Sequence, residues 1–541
     1  MPSCLLPTPI QIAELHNILR SNAAPVETMA ASFRSAIDAC RPELARYDAE
    51  IQRLQTLLSG LVSDRTNLVS YIAGCQSALA PIRRLPTELL TNIFEMGSPP
   101  IEIYDISEEI TPAQELDRLA QRHLLQLSQV SSGWHRVVMS TPSLWSMITV
   151  DMTLWHACPV SSETLLSLLS SALIRGQSHR LKIQLAVKYR VHSATRPVLE
   201  LLARHARRWH DVFFWIDCDS MQWLSAAKGN LHLLERLNLS VDGQRQEIDF
   251  FEVAPRLKEV IFLGRPAVIP HLPWGQLQEF QYSGETNMRP SHGLALIQNL
   301  APGTTFTFAP HLPDTSAGTA WPPVSSNIRQ LILILHSHES SMESTNILGQ
   351  ILGSLTLPSL DFLEFTSPLE ESPTPEEELL VWHQASFLAL ASRSSFHTHL
   401  TTLDISILIT EDELVECLAV LPLLEDLSIA DPANGKHILI TDTLLHRLAR
   451  KPQQPPLVPH LQHVCLISFL WFTDSIFLDF VTSRIGPGRS KDDMRFRAVL
   501  EQRPACNREL GPDTTARLSE LESQGELWFD WFEIRADDGS G

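Results

Sequence analysis

The sequence predicts an α/β chain in two parts: a helical N-terminal region, then a long array of short strands alternating with helices or loops. Three observations predict it. Apolar residues between 44 and 82 recur in alternating steps of three and four, the spacing of a helical seam. Two short apolar helices are expected within 82–146. Beyond them a signature of the form apolar-x-x-apolar-x-apolar occurs ten times in one direction. At 541 residues the chain exceeds what one compact core usually supports, so several units or a repeat array are expected.

The seam runs through Leu44, Tyr47, Ile51, Leu54, Leu58 and Leu61. After a polar interruption at Arg65 it continues through Leu68, Ile72, Cys75, Leu79 and Ile82. Pro42-Glu43 marks its expected start and Gly74 loosens its end, which places a coiled-coil-like helix at 42–81 behind an N-terminal helical or flexible segment at 1–41. Two readings stay open: a homodimer or partner helix through the 44–82 heptads, and a long helix folding back on its own chain.

Residues 82–146 carry two apolar helical pieces. Pro86 suits a first turn, where its missing N–H is no loss, and Leu85, Leu89, Leu90, Ile93 and Phe94 then recur on one side. The second piece spaces Leu124, Leu127, Val130, Trp134 and Val137/Val138 by threes and fours and ends at Thr141-Pro142. Neither helix can bury its stripe alone. Between them, residues 97–122 open with Gly97-Ser98-Pro99-Pro100 and read as a surface insert.

These motifs, Leu-Pro-x-Glu-Leu-Leu-x-x-Ile-Phe, a Val-x-x-x-Trp helix and a closing Pro-Ser-Leu-Trp, resemble an F-box of the kind found in mushroom-forming fungi. The resemblance covers roughly 65 residues. It implies a helical module that docks the Skp adaptor of a Skp–cullin–F-box ubiquitin ligase. It also implies that Leu85, Pro86, Leu89, Leu90, Ile93, Phe94, Val130 and Trp134 contact or support that surface. Ser131-Ser132 stands where the family often has Cys and a basic residue, and Gly133 is expected to weaken the helix by about 1 kcal/mol. An internal helical core is the alternative reading of the same apolar residues.

The recurrent signature resembles the strand of a leucine-rich repeat. Its copies include Trp145/Ile148/Val150, Trp209/Val212/Phe214, Leu234/Leu237/Leu239, Leu257/Val260/Phe262 and Leu277/Phe280/Tyr282. They continue with Ile328/Leu331/Leu333, Leu360/Leu363/Phe365, Leu400/Leu403/Ile405, Leu424/Leu427/Ile429 and Leu461/Val464/Leu466. Each such unit buries its apolar face only by stacking on its neighbours, so the expectation is an irregular leucine-rich-repeat solenoid over 147–512. Phe306/Phe308 is a degenerate copy, and Phe480–Ile485 with Met494–Leu500 a last one. Residues 309–327, 367–378, 451–459 and 486–493 read as loops by composition. The aromatic patch at Trp528, Phe529, Trp531 and Phe532 is expected to cap the array within a C-terminal segment at 513–541.

Composition narrows the function. With 42 basic against 62 acidic residues the net charge is −20, which opposes binding to phosphate backbones and anionic lipid, so neither nucleic acid nor membrane is an expected partner. The eight cysteines show no close pair, against a disulfide framework or zinc ribbon. The apolar run Val464–Phe472 is too short to span a bilayer and the N-terminus lacks a signal pattern, so the chain reads as intracellular, cytoplasmic or nuclear. No phosphate-binding loop, nucleophile elbow or HExxH motif is present, and neither a cofactor nor a metal is expected. The resemblance and the array together imply a non-catalytic substrate receptor that holds an unidentified protein substrate on its repeats. A scaffolding repeat protein without a ligase partner is the alternative.

Overall fold

The computed structural model describes residues 9–21, 24–97, 120–151, 162–187, 194–242, 247–264, 269–282, 289–310, 321–335, 341–366, 382–432, 435, 437–451, 454–485, 495–503, 506 and 508–533. Most of the insert expected at 97–122, and the loops expected at 367–378 and 486–493, lie outside them. The chain divides into two units, Met1–Leu90 and Thr91–Gly541.

The first unit is built from α1 (Pro9–Ser21) and α2 (Glu27–Leu79), followed by a 3₁₀ turn at Pro81–Arg84. α2 is 53 residues long and starts at Glu27, not at Pro42, which lies inside it. An internal proline removes one hydrogen bond and costs about 3 kcal/mol. Alanine-rich sequence before it and the Leu-Ala-Arg run after it carry the helix through. Ion pairs one turn apart, Arg46–Glu43 and Arg53–Glu50 at 2.8 Å each, line its polar surface. No residue of α2 is buried. At its end the Arg83 guanidinium donates to the Ser77 carbonyl (2.7 Å) and ties the 3₁₀ turn to the last helical turn.

α3 (Thr87–Met96) contains the division between the units, and α4 (Ala120–Val130), α5 (Ser132–Ser140) and a 3₁₀ turn at Pro142–Trp145 follow. The apolar run from Leu124 to Val138, expected as one helix, is two. Ser131 is extended (φ −161°, ψ 161°) and its side chain accepts from the Trp134 amide, starting α5 afresh.

The rest of the second unit is dominated by one fourteen-stranded sheet. Its strands are β1 (Met147–Asp151), β2 (Leu181–Ala186), β3 (Trp209–Asp217), β4 (Arg236–Asp242), β5 (Glu259–Gly264), β6 (Glu279–Tyr282) and β7 (Thr305–Phe308). They continue with β9 (Gln330–Ile334), β11 (Phe362–Thr366), β12 (Thr402–Ile405), β13 (Asp426–Ala430), β14 (His463–Ser468), β15 (Phe496–Gln502) and β16 (Leu527–Glu533). Two short strands, β8 (Val324–Ser325) and β10 (Leu355–Thr356), pair with each other. Spatial order follows chain order, and the neighbours pair in parallel throughout. Parallel neighbours need a crossover between them. Helices supply many of these: α6 (Ser162–Arg175), α7 (Thr195–Arg204), α8 (Cys218–Met221), α9 (Pro290–Ile297), α10 (Ser341–Ser354), α11 (Gln384–Ser394), α12 (Glu411–Ala419), α13 (Asp442–Leu448), α14 (Asp474–Ile485) and α15 (Pro512–Ser523).

Register explains the recurrent motif. The first strand position of each copy pairs with the first of the next, as in Leu237↔Val260, Val260↔Phe280, Leu363↔Leu403 and Leu427↔Val464. The second positions pair likewise, as in Leu239↔Phe262, Phe365↔Ile405 and Ile429↔Leu466. Two apolar rows therefore run across the sheet, buried almost to completion. Each Leu, Ile or Phe so buried contributes about 1.5–3 kcal/mol. Midway the rows become aromatic, with Phe280 stacked on Phe306 at 5.9 Å and Phe306 on Phe308 at 4.9 Å.

All ten copies of the signature, and the degenerate Phe306/Phe308, coincide with strands. β2 and β16 escaped it. In β2 the leading apolar residue, Leu181, sits two rather than three positions before Ile183, and the β2–β3 register shifts between Leu181 and Lys182. In β16 Leu527 leads Phe529 by two in the same way, and the aromatic patch is itself the terminal strand, paired with β15.

Candidate docking site

Helical spacing on α3 separates two kinds of apolar residue. Leu90 and Phe94, one turn apart, are 9% and 1% exposed, while Leu89 and Ile93, also one turn apart on the neighbouring flank, are 48% and 44% exposed. Met96, one turn beyond Ile93, extends this exposed strip.

The buried flank has a defined partner. The Phe94 ring lies 4.9 Å from that of Trp134 on α5, at 57°. Val137 and Val138 of α5 and Leu124 of α4 are buried with them. The Pro142–Trp145 turn closes the module. Trp145 Nε1 donates to the Val138 carbonyl at 2.7 Å, and the Arg175 guanidinium from α6 lies over its ring at 4.7 Å.

Of the eight residues expected at a docking surface, the structure places Pro86, Leu89, Ile93 and Val130 in solvent. Leu85 and Trp134 are half-buried, and Leu90 and Phe94 are core. Gly133 falls in the first turn of α5, with 3.7 Å between a built Cβ and Ser131 Oγ.

A second surface is the sheet face opposite the apolar rows. Between the paired core positions Leu363↔Leu403↔Leu427↔Val464 and the row that follows stand Glu364, Asp404, Ser428 and Cys465, in direct register from β11 to β14. Burial, with the Asp404 carboxylate beside it, pushes Glu364 up to about 7. Burial also raises Asp404, against hydrogen bonds from Ser428 and Ser406 that favour its charged form. The Cys465 thiol, half-buried near Glu501 and Asp404, is pushed up to about 12, and burial does the same to Cys417. Both are thiols at neutral pH and poor nucleophiles. Among the described residues no group of three or more His, Cys, Asp or Glu could hold a metal ion, and no helix is long and apolar enough to cross a membrane.

Comparisons with known proteins bear on the helical module. A search of curated proteins finds no match to the chain. Among solved structures, a protein from Bacteroides fragilis aligns at 12% identity and a TM-score of 0.27. That alignment covers 52% of this chain and 66%, just under two thirds, of the other. A chain of the Rad7–Elc1 complex of yeast aligns at 13% identity and a TM-score of 0.32, covering 78% of this chain and 94% of that one. Both superpositions are too loose to define this fold. The family comparison is local and specific: the model described as F-box-like matches residues 82–151, the segment that holds α3, α4, α5, the Trp145 turn and β1. The chain carries an F-box-like domain at residues 82–151.

Proposed function

We propose that this protein is a substrate receptor. Its F-box-like domain docks the Skp adaptor of a cullin ubiquitin ligase, and its parallel sheet, a leucine-rich-repeat-like solenoid, holds a protein substrate. The observation that carries the reading is the division of α3 inside the matched segment. Leu90 and Phe94 are spent on the module's core, which leaves Leu89 and Ile93 as an exposed apolar strip. A helix that keeps two large aliphatic side chains in water one turn apart gains most by laying them against another protein. The solenoid reading is supported by strand order that follows chain order and by in-register apolar rows, the arrangement expected when each repeat buries its face on the next. On this reading the protein's work is positional: holding a substrate beside a conjugating enzyme raises effective concentration, and no catalytic residue of its own is required.

The test is co-purification of the tagged full-length chain with recombinant Skp adaptor. The wild-type chain is expected to form a stoichiometric complex that Leu89→Asp with Ile93→Asp abolishes, while the thermal midpoint stays unchanged because both side chains are already solvated. No complex with the wild-type chain rejects the ligase reading and leaves a scaffolding repeat protein.

A further inference from the structure

α2 is about 80 Å long at 1.5 Å per residue, yet none of its residues is buried. Fourteen of its large apolar side chains are 45% or more exposed. Their positions specify the shape of what covers them. The alternation of three and four does not stop at Pro42: Ile37 and Cys40 extend it backward, so that it runs from Ile37 to Leu79. In this frame Pro42, Ala49, Thr56, Ser63, Ser70 and Ser77 all fall at the position opposite the seam. A strict seven-residue repeat drifts about 20° per heptad on a straight helix, so over about six heptads the stripe stays on one side only if the helix supercoils around another. α1, at 13 residues, spans only about 20 Å and is too short for that role.

Residue choice within the seam fits two parallel strands. One seam position mixes Ile37, Ile51 and Ile72 with Leu44, Leu58 and Leu79, while the other, with Leu54, Leu61 and Leu68 among Cys40, Tyr47 and Cys75, holds no β-branched residue, the side of the seam on which a parallel dimer prefers Leu. The polar interruption fits the same arrangement. Arg65 stands in the Ile-type position, and Asp64, immediately before it, borders the same layer. Among the described residues neither forms an ion pair within the chain. With two copies parallel and in register, each Arg65 lies beside Asp64 of the other copy, twice by symmetry, which sets both partner and register. If each of the fourteen side chains, ten in the seam and Leu57, Val62, Val69 and Tyr71 at the positions that flank it, loses roughly 60 Å² to water, the interface reaches the ~800 Å² per partner typical of a stable one.

We propose that α2 pairs with α2 of a second copy of this chain as a parallel, in-register, two-stranded coiled coil keyed by the Asp64–Arg65 layer. Because α2 precedes the F-box-like segment, this does not depend on the adaptor reading.

The full-length chain at micromolar concentration in analytical ultracentrifugation is expected at twice its 60.7 kDa mass. Arg65→Asp should raise the dimer dissociation constant at least tenfold, and Asp64→Arg combined with Arg65→Asp should restore it. A helix that merely lost its fold would not be rescued by the swap. Register is read with a short bis-maleimide and peptide mass spectrometry. Both Cys40 and Cys75 are exposed seam residues, and links of Cys75 to Cys75 and Cys40 to Cys40 are expected. A monomer at every concentration, as for a fold-back or a foreign partner helix, overturns the proposal. So do a mass above twice the chain, or links joining Cys40 to Cys75.

Discussion

Phe94 and Trp134 lie with ring centroids 4.9 Å apart, and this contact packs α3, the helix that carries the exposed strip, against α5. Truncating a buried aromatic costs about 3–5 kcal/mol. Phe94→Ala should therefore lower the melting temperature and weaken adaptor binding together, whereas Leu89→Asp should weaken binding alone. Paired thermal melts and pull-downs separate the two. If Phe94→Ala leaves the melt unmoved, the packing role assigned to it is wrong.

Ser131 starts α5 by accepting the Trp134 amide at 3.2 Å. Loss of such a cap costs about 1 kcal/mol, the outcome expected for Ser131→Ala in chemical denaturation. Gly133→Ala should go the other way. Its new methyl meets Ser131 Oγ at an ordinary 3.7 Å and relieves the entropy cost of glycine, so a gain of up to about 1 kcal/mol is expected. A loss on Gly133→Ala would mean that the first turn is tighter than it stands here.

At the end of β13 the buried Asp431 carboxylate accepts from the Leu439 and Ile440 amides, at 2.8 and 2.9 Å, and from Ser468 Oγ and the Phe469 amide, at 2.8 and 3.1 Å. Its own carbonyl accepts from the buried Arg503 guanidinium. The side chain satisfies four donors that water cannot reach. Asp431→Ala should cost about 3–5 kcal/mol in denaturant unfolding, since it strands those donors and removes one of the two carboxylates, with Glu501, that balance the buried Arg503. A cost below that of an ordinary surface substitution would show that solvent enters this end of the sheet.

How much of this was legible follows from which interactions are local. The strand motif names its own two core positions, so Leu237/Leu239 and Leu363/Phe365 were readable without neighbours. β2 was not, because a register shift moved Leu181 one place closer and turned the signature into plain alternation. At the candidate docking site, sequence marked Leu89, Leu90, Ile93 and Phe94 alike, since spacing alone groups residues within about one face. Which of the four are core is decided by burial partners such as Trp134, forty residues on. The break at Ser131 was hidden because apolar periodicity continues through it. A serine followed three residues later by Trp134 carries no capping box to announce a new helix.

Glu364 and Asp404 stand side by side in the β11–β12 register, and burial with this proximity pushes Glu364 up to about 7. In the unfolded chain the same group titrates near its ordinary 4.5. The folded state therefore holds its proton more tightly, and the stabilising contribution is fully present below pH 4.5 and is lost as pH rises through about 7. Because Glu364 is only half-buried, the effect is on the order of 1 kcal/mol after allowing for solvent screening. Glu364→Gln removes the titration, so the variant should be the more stable at pH 8 and its stability should fall less between pH 5 and 8. Denaturant midpoints taken across that range decide the matter. Parallel curves for the two chains would mean that Glu364 is ionised throughout and that the two carboxylates do not share a dry stretch of the sheet.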